Sequence, residues 1–499
     1  MRFPTLRTRM PARSRAMLAL AGQAAVTLIT VVLLTHPSTD LPHVFTLSVA
    51  LTALLAWSVS SWKMAGRSLF DPYCMFLISA FLFNAGHGLL EVLGSNDDGI
   101  MGGIFSDAVV RETLTLSLSG LAALHLGALA AVSFGPRTLR PVQWMTPERE
   151  AWTRRTGWLL LAIAVPASAI WLTQALSIVA ASGYASLYER ELQAGIAATP
   201  FVLSGLLVPG ALFLTAVGRR RLIERRVAAT VVLLFSVVQF YIGYRSTAAM
   251  PLLAWLWLHH RLIRPLRWRL IGPAAAVLVF VVFPLVRETR NLAHDERSTE
   301  SYWSTFTSVE NPALSSISEM GASMATTAHT VTLVPSSRPF DNGVGYGYAL
   351  LTLFPNLFWD IHPTIERGTA GDWLVQSVNS WLAARGGAYG FSFIGEAYLN
   401  FGPFGVPVML CVYGLLMAGL VLWAEKSGDP AKLAVVAMIL AFTQRFPRDE
   451  LSGVIRPVIW FAVAPYLFTV AIPQLLGGAL RTRQVRLVRP AAGVRSEAA

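Results

Sequence analysis

Apolar residues fall along this chain in runs long enough to cross a bilayer as single helices, with short polar turns between them. Such runs occupy about residues 16–35, 43–61, 69–92, 112–134, 157–181, 200–217, 227–243, 247–262, 270–286, 403–424, 432–447 and 457–478. Each is near the ~20 residues a helix needs to span hydrocarbon, the run at 432–447 being short for the task. The pattern predicts an all-α polytopic membrane protein with about twelve transmembrane helices. One interval breaks the rhythm. Residues 287–402, between the ninth and tenth spans, are rich in Gly, Ser, Thr and aromatics, and loops of that length without a role are uncommon. Four parts follow: nine spans over 1–286, the loop 287–402, three spans over 403–480, and a basic tail over 481–499. Within the loop, Ala349 to Trp359 is apolar and interrupted by Pro355, the composition of a re-entrant or surface-lying helix that lines a cavity.

Charge orients the bundle. Taking alternate segments from the N-terminal tail onward, 28 of the 40 Lys and Arg fall on one side of the predicted membrane. The acids Asp97, Asp98, Asp107, Glu189, Glu191, Asp295, Glu296 and Glu300 fall on the other. Cationic loops stay inside, so both ends are expected inside and the long loop outside. Ahead of the first span stand Arg2, Arg7, Arg9, Arg13 and Arg15; the following run lacks a small-x-small cleavage site, which reads as an uncleaved signal anchor. A net charge of +12 and a pI of 10.1 raise nucleic acid as a partner. Arginines in short loops between apolar runs are better explained by topology and anionic lipid. The partner they point to is the lipid bilayer. Composition agrees: 54% hydrophobic, 14% charged, mean hydropathy +0.53. Cys74 and Cys411 both lie inside apolar runs, which leaves no disulfide framework or zinc site to build. No GxxxxGK[ST] or HExxH motif is present, so the energy for any reaction must come from the substrate, for instance an activated phosphate leaving group.

Chemistry concentrates where the long loop meets the tenth span. The stretch Phe391-Ser392-Phe393-Ile394-Gly395-Glu396-Ala397-Tyr398-Leu399-Asn400-Phe401-Gly402 puts an ionisable group at the edge of hydrocarbon, where it is costly and marks a functional candidate. Glu396 and Asn400, four apart, share one helix face. The bland alternative is a helix cap at the interface. Outer helix ends also carry guanidinium groups: Arg245 in Gly243-Tyr244-Arg245-Ser246, Arg287 and Arg290, Arg385 ahead of Gly386-Gly387, and Arg445, Arg448 and Arg456 in the last outer turn. Guanidinium pairs bidentately with phosphate and stays charged, which suits a diphosphate at the bilayer surface; snorkelling to lipid phosphate is the competing reading. Asn84, His87 and Glu91 line one stripe of the third span, where a histidine could take a proton from an acceptor hydroxyl or glue helices together. Trp303, Trp359, Trp373 and Trp381 in the loop offer flat faces to sugar rings or anchors at the headgroup level.

Gly386-Gly387, Gly390-Phe391-Ser392-Phe393 and Gly395-Glu396-Ala397-Tyr398-Leu399-Asn400-Phe401-Gly402-Pro403-Phe404-Gly405 resemble the C-terminal signature of the Wzy-type oligosaccharide repeat-unit polymerases of O-antigen. The Gly243–Ser246 turn and the loop around Tyr346 to Leu351 and Pro355 are similar to that family as well. The likeness runs from about residue 240 to 425. It implies a GT-C-like membrane glycosyltransferase of the bacterial inner membrane, working at the periplasmic face on undecaprenyl-diphosphate-linked glycans as donor and acceptor. It implies no nucleotide, metal or cofactor, and a chain-length regulator as a further partner. On this reading Arg245 and Arg287 hold the diphosphate, with Arg290 and Arg385 as substitutes and Arg448 secondary. Glu396 is then the acceptor base or sugar-orienting carboxylate, with Asn400 holding it. Related ligases use a loop histidine, for which His294, His329 and His362 are the choices here. An O-antigen ligase-like transferase, or a transporter or flippase of lipid-linked glycan, are the alternatives. Retention of a one-repeat band in a deletion strain separates polymerase from ligase.

Overall fold

The computed structural model describes residues 11–473 apart from 97, 136–140, 144, 185, 190–197, 290–299, 301–303, 305–310 and 357–358. Helices stand at all twelve places where the apolar runs lie, and no strand occurs among the described residues. They are α1 (Ala12–Leu33), α2 (Val44–Met64), α3 (Pro72–Val92), α4 (Asp107–Phe134), α5 (Pro147–Ser182), α6 (Thr199–Val217), α7 (Leu222–Ile242), α8 (Arg245–Leu262) and α9 (Trp268–Val277). The last continues through a π-turn into Phe283–Thr289. The loop contributes α10 (Pro312–Gly321), α11 (Ser323–Leu333), α12 (Val344–Leu351), α13 (Pro363–Arg367) and α14 (Ala370–Val378). Then come α15 (Phe393–Ser427), α16 (Pro430–Thr443) and α17 (Leu451–Pro473).

Among the described residues, nine helices are long and apolar enough to cross a membrane: α1 to α7, α15 and α17. The other three fall short for visible reasons. The apolar part of α9 is confined to Ile271–Arg287, and α8 carries Arg245 at one end and His259, His260 and Arg261 at the other. Helix α16 has only 14 residues, about 21 Å of helix against about 30 Å of hydrocarbon. Its residues from Leu433 to Leu440 are all buried, so neighbouring helices rather than lipid surround it. A helix apolar all round belongs in such a centre.

Small residues set the tightest seam. A Cβ at Gly127 would lie 1.9 Å from the Cys411 carbonyl oxygen, and one at Gly414 would lie 1.8 Å from that of Leu124. Helices α4 and α15 therefore touch backbone to backbone, the close approach that small residues permit where no solvent drives helices together. Gly414→Val should cost about 3 kcal/mol of overpacking. The yield and unfolding midpoint of detergent-solubilised protein would report it.

The two ends of the bundle differ. At one end Arg67 donates to Asp71 (2.6 Å) and Glu425 (2.7 Å), and Glu425 also accepts from Arg261 (2.9 Å). Arg149 pairs with Asp429, just past the end of α15, and Arg221 with Glu150 of α5. All these cations belong to segments expected inside. The start of α15 lies at the other end, where the loop helices pack.

Helix α15 begins ten residues earlier than the apolar run at 403–424 suggests. Its single non-helical residue is Gly402, at φ 70 and ψ −166, directly before Pro403, which has no N–H to donate. The glycine absorbs the break, and Phe393 to Phe401 forms a separate helical segment with Glu396 in its first turn. Residues 341–353 run beside that segment. The Asp341 N–H donates to the Leu399 carbonyl (2.9 Å), Tyr346 stacks on Phe401 (5.8 Å between centroids), and the Trp460 indole donates to the Leu353 carbonyl (3.0 Å). Leu399 and Trp460 stand six and nine residues into their helices, about 9 and 14 Å along the axes at the helical rise. The 341–353 segment thus dips between α15 and α17, and α12 ends before Pro355.

Candidate active site

The start of α15 is held by a buried polar strut. Ser392 caps the helix, its hydroxyl accepting from the Ile394 and Gly395 N–H groups and donating to Asn84 Oδ1 (2.7 Å). Asn84 Nδ2 in turn donates to the Pro447 carbonyl (2.9 Å). Ser392 and Asn84 are fully buried, so each bond replaces one that water would otherwise make. The strut joins α3, α15 and the turn ahead of α17. Across it, the Leu451 N–H donates to Glu396 Oε2 (2.9 Å). Glu396 is only 3% exposed.

Glu396 and Asn400 line a cavity of about 460 Å³ closed by α12, α13, α14 and the start of α17. Helix α12 turns Gly345, Tyr348, Ala349 and Thr352 toward it, a stripe at helical spacing. Three arginines line it: Arg338, Arg367 and Arg456. Arg338 and Arg367 share one counter-ion, Asp341, at 2.8 and 2.5 Å. Each also lies over an aromatic ring, Arg338 over Trp373 (4.6 Å) and Arg367 over Tyr348 (4.7 Å). Stacking plus a shared carboxylate fixes both guanidinium planes while leaving the trio with one net positive charge. Glu450 supplies a further carboxylate. It accepts from the Ala370 N–H (2.9 Å) and Gly371 N–H (3.5 Å) at the start of α14, which pins that helix and its Trp373 to the turn before α17. Burial pushes the Glu450 carboxyl above the ordinary range, and the Ala370 amide, the Thr369 hydroxyl and the Gly371 amide pull against that shift.

The other residues singled out in the sequence lie elsewhere. Arg245 does not line the cavity; it makes a bidentate pair with Glu319 of α10, and donates to the Phe283 carbonyl (3.2 Å). That pair docks a loop helix onto the bundle. Arg245→Ala should therefore destabilise the fold by about 2 kcal/mol for a charged hydrogen bond lost, and so lower the unfolding midpoint. Arg245→Ala/Glu319→Ala should recover part of the loss, read by thermal unfolding in detergent. Arg287 donates to Ser315 of α10 (3.2 Å) and Arg385 lies over Trp381 (3.5 Å); neither lines the cavity. Arg448 is outside it too, beside Gly390. Arg290 and His294 lie outside the described residues, as does Trp303.

None of the described histidines reaches the cavity. His87 sits where Gly321 of α10 packs on the α3 backbone. His329 is wedged between Phe105 (4.7 Å) and Tyr389 (6.4 Å), where burial holds its imidazole below the usual value. His362 caps α13, its Nδ1 facing the Thr364 hydroxyl (2.6 Å) and N–H (3.2 Å). Asn400 shares the Glu396 face but does not hold its carboxylate: Nδ2 donates to the Glu396 main-chain carbonyl (2.9 Å).

Arg338, Arg367 and Glu450 escape a reading by helix ends, because their loop positions say nothing of what faces them. A signal exists nonetheless. Arg338 stands three residues before Asp341 in the turn-rich Asp341-Asn342-Gly343 stretch, and Glu450 follows Arg448-Asp449 between two apolar runs.

A family model for the O-antigen polysaccharide polymerase Wzy matches residues 24–476, nearly the whole chain. No match was found among curated proteins, and none among solved structures. With a helical bundle, a cavity holding carboxylates and guanidinium groups, and that match in hand, the chain belongs to the Wzy family of O-antigen polysaccharide polymerases.

Proposed function

We infer that, as a Wzy polymerase, the chain is a membrane glycosyltransferase that joins lipid-linked repeat units into O-antigen. We propose that transfer takes place in the Glu396 cavity, at the periplasmic face of the inner membrane, on undecaprenyl-diphosphate-linked donor and acceptor. On this reading twelve GT-C-like spans cross the membrane with both ends inside and the 287–402 loop outside. What supports the side is the gathering of the Arg67, Arg261 and Arg149 ion pairs at the end of the bundle away from Glu396, as cation bias predicts.

In the reaction the acceptor hydroxyl oxygen bonds to the anomeric carbon of the growing chain. The bond from that carbon to the diphosphate oxygen breaks, and its electron pair leaves on the diphosphate. Glu396 takes the acceptor proton. It is favoured among the cavity carboxylates by its partners: Asp341 is neutralised by two arginines, Glu450 is held by two amides, and Asp372 is tied into the α14 capping box. Glu396 accepts a single amide, so one oxygen remains for the acceptor. Arg338 and Arg367, with Arg456 at the start of α17, face the departing diphosphate; fixed charge aimed at a developing negative group lowers the barrier. Arg245, Arg287 and Arg385 take no part in this reading.

The observation that carries it is the meeting of a buried, singly bonded carboxylate and a stacked arginine pair in one cavity. Purified protein in vesicles, given one defined lipid-linked repeat, should build a ladder of polymer, with or without chelator. Transport of the glycan without polymer would overturn the reading, and loss of the ladder in chelator would overturn its metal-free chemistry.

A further inference from the structure

Helix α12 has two unlike faces. Gly345, Tyr348, Ala349 and Thr352 look into the cavity. Val344, Leu350 and Phe354 stand 47, 51 and 55% exposed on the opposite side by helical spacing. The helical turn carries on as far as Phe354, whose N–H donates to the Leu351 carbonyl (3.1 Å). Large apolar side chains left open together mark a membrane or ligand surface rather than a solvated one. Between Val344 and Leu350 that face has a gap. Gly347 is exposed, its φ is not positive, and a Cβ there would meet nothing within 4 Å. Glycine inside a helix is unfavourable relative to alanine, and no neighbour here requires it. What its bare backbone leaves is a slot, open to the outside, between two branched side chains.

The same face continues the lipid-facing side of the bundle. Gly343 packs against the ring of Phe401, on which Tyr346 also stacks. Phe401, Phe404, Val408 and Val412 of α15 are themselves exposed, three or four residues apart, the stripe of a span turned toward lipid. Helix α12 is thus a wall one helix thick, with the Glu396 cavity on one side and the bilayer on the other. The two sides join at its start. Asp341, which the stacked Arg338 and Arg367 share, stands three residues before Val344. A chain attached to a diphosphate held by that pair has only the start of α12 to round before it lies along Val344 and Gly347.

We propose that the slotted outer face of α12 is the seat of the isoprenoid chain of the lipid-linked donor, which it reads by shape. The inference rests on the transferase reading of the cavity and deepens it, by placing the donor's tail on a named face. Hydrocarbon around the protein is as apolar as the chain itself, so burial alone gives no preference. Branch methyl groups that fit a slot do, through contacts that a straight alkyl chain makes less well.

Purified full-length protein in vesicles is given two donors with the same glycan diphosphate, one on a polyprenyl chain and one on a saturated straight chain of equal length. Both partition into the bilayer, and the acceptor is held constant. Wild-type KM should be about 10-fold lower for the polyprenyl donor, a typical factor for apolar shape matching. Gly347→Leu fills the slot with a good helix former. It should raise KM for the polyprenyl donor about 10-fold and leave the straight-chain donor and the unfolding midpoint unchanged. No preference in the wild type, or an equal change for both donors, overturns the proposal. Should Gly347→Leu fail to fold, cross-linking of the wild type decides. A donor with a diazirine in its first isoprene units should label residues 344–354, and excess unlabelled donor should remove that label. Label that persists, or that a photoactivatable phospholipid gives equally in the presence of donor, means bilayer contact only and overturns the seat. Covalent dimers formed through Leu350→Cys would put a second copy on the face and overturn it too. Wild-type protein that makes no polymer from either donor refutes the transferase reading; polymer made without regard to the tail refutes the seat alone.

Discussion

Glu396→Gln should lower kcat for polymerisation about 10²- to 10⁴-fold, the range that a positioned proton acceptor supplies, with the protein folded and KM little changed. The substitution is isosteric. The amide oxygen can still accept from the Leu451 N–H, so the tie between α15 and α17 survives. What is lost is the ability to take a proton, together with a first-turn negative charge that favours the helix by about 0.5 kcal/mol. That second effect is far too small to mimic the first. Glu396→Asp keeps the base but withdraws it by one methylene, and should keep more activity than the amide does. Single-turnover transfer to a labelled acceptor separates the chemical step from product release. If the glutamine variant turns over within a few-fold of wild type, Glu396 is a cap for α17 and the base lies elsewhere.

The sequence marked this residue because of where it stands. A carboxylate at the end of a long polar segment and the start of an apolar run has few reasons to be there, and its helix partner at four residues made a face. The same logic located the nine helices that are long and apolar enough to cross a membrane among the described residues, since a stretch of hydrocarbon length needs no tertiary information to be recognised. It set the start of α15 too late because apolar content begins at Pro403, whereas the Ser392 cap and the freedom of Gly402 begin the helix at Phe393. It gives no sign of the partner of Arg245, for a different reason. A tight turn between spans limits what an arginine can reach locally, but Glu319 is 74 positions away in sequence and arrives on α10. Such a pairing depends on how the long loop folds back, which no periodicity in the loop records. The histidines were ambiguous for the same cause: His329 and His362 carry suitable chemistry, and packing against Phe105 and Tyr389 or capping of α13 removes them from the cavity. Asn400 was legible as a face and illegible as a role, because the direction of its amide follows from the Glu396 carbonyl.

Arg338→Ala should lower kcat/KM for the lipid-linked donor about 10²- to 10³-fold, the loss typical of removing one preorganised group that faces developing negative charge. The trio of Arg338, Arg367 and Asp341 carries a formal net charge of about +1; without Arg338 it is neutral, so the diphosphate loses its attraction as well as a hydrogen-bonding fork. Removing both arginines leaves Asp341 alone, a negative charge facing a negative leaving group, and the double variant should be the least active of the set. Arg338→Lys is informative. It restores the charge but neither the stack on Trp373 nor the fixed fork, so activity between the alanine variant and wild type is expected, nearer the former. Asp341→Asn raises the trio to about +2 yet frees both guanidinium planes. It should tighten binding of free diphosphate while lowering kcat, since charge without alignment binds ground state and transition state alike. These four variants are compared with Arg245→Ala in the same vesicles and at two salt concentrations. An effect confined to Arg245, with Arg338 and Arg367 dispensable, would return the diphosphate to the far side of α10 and leave the Glu396 cavity without a leaving-group site. The opposite result, a loss that follows the charge of the trio step by step, ties the departing group to the same walls that hold the base.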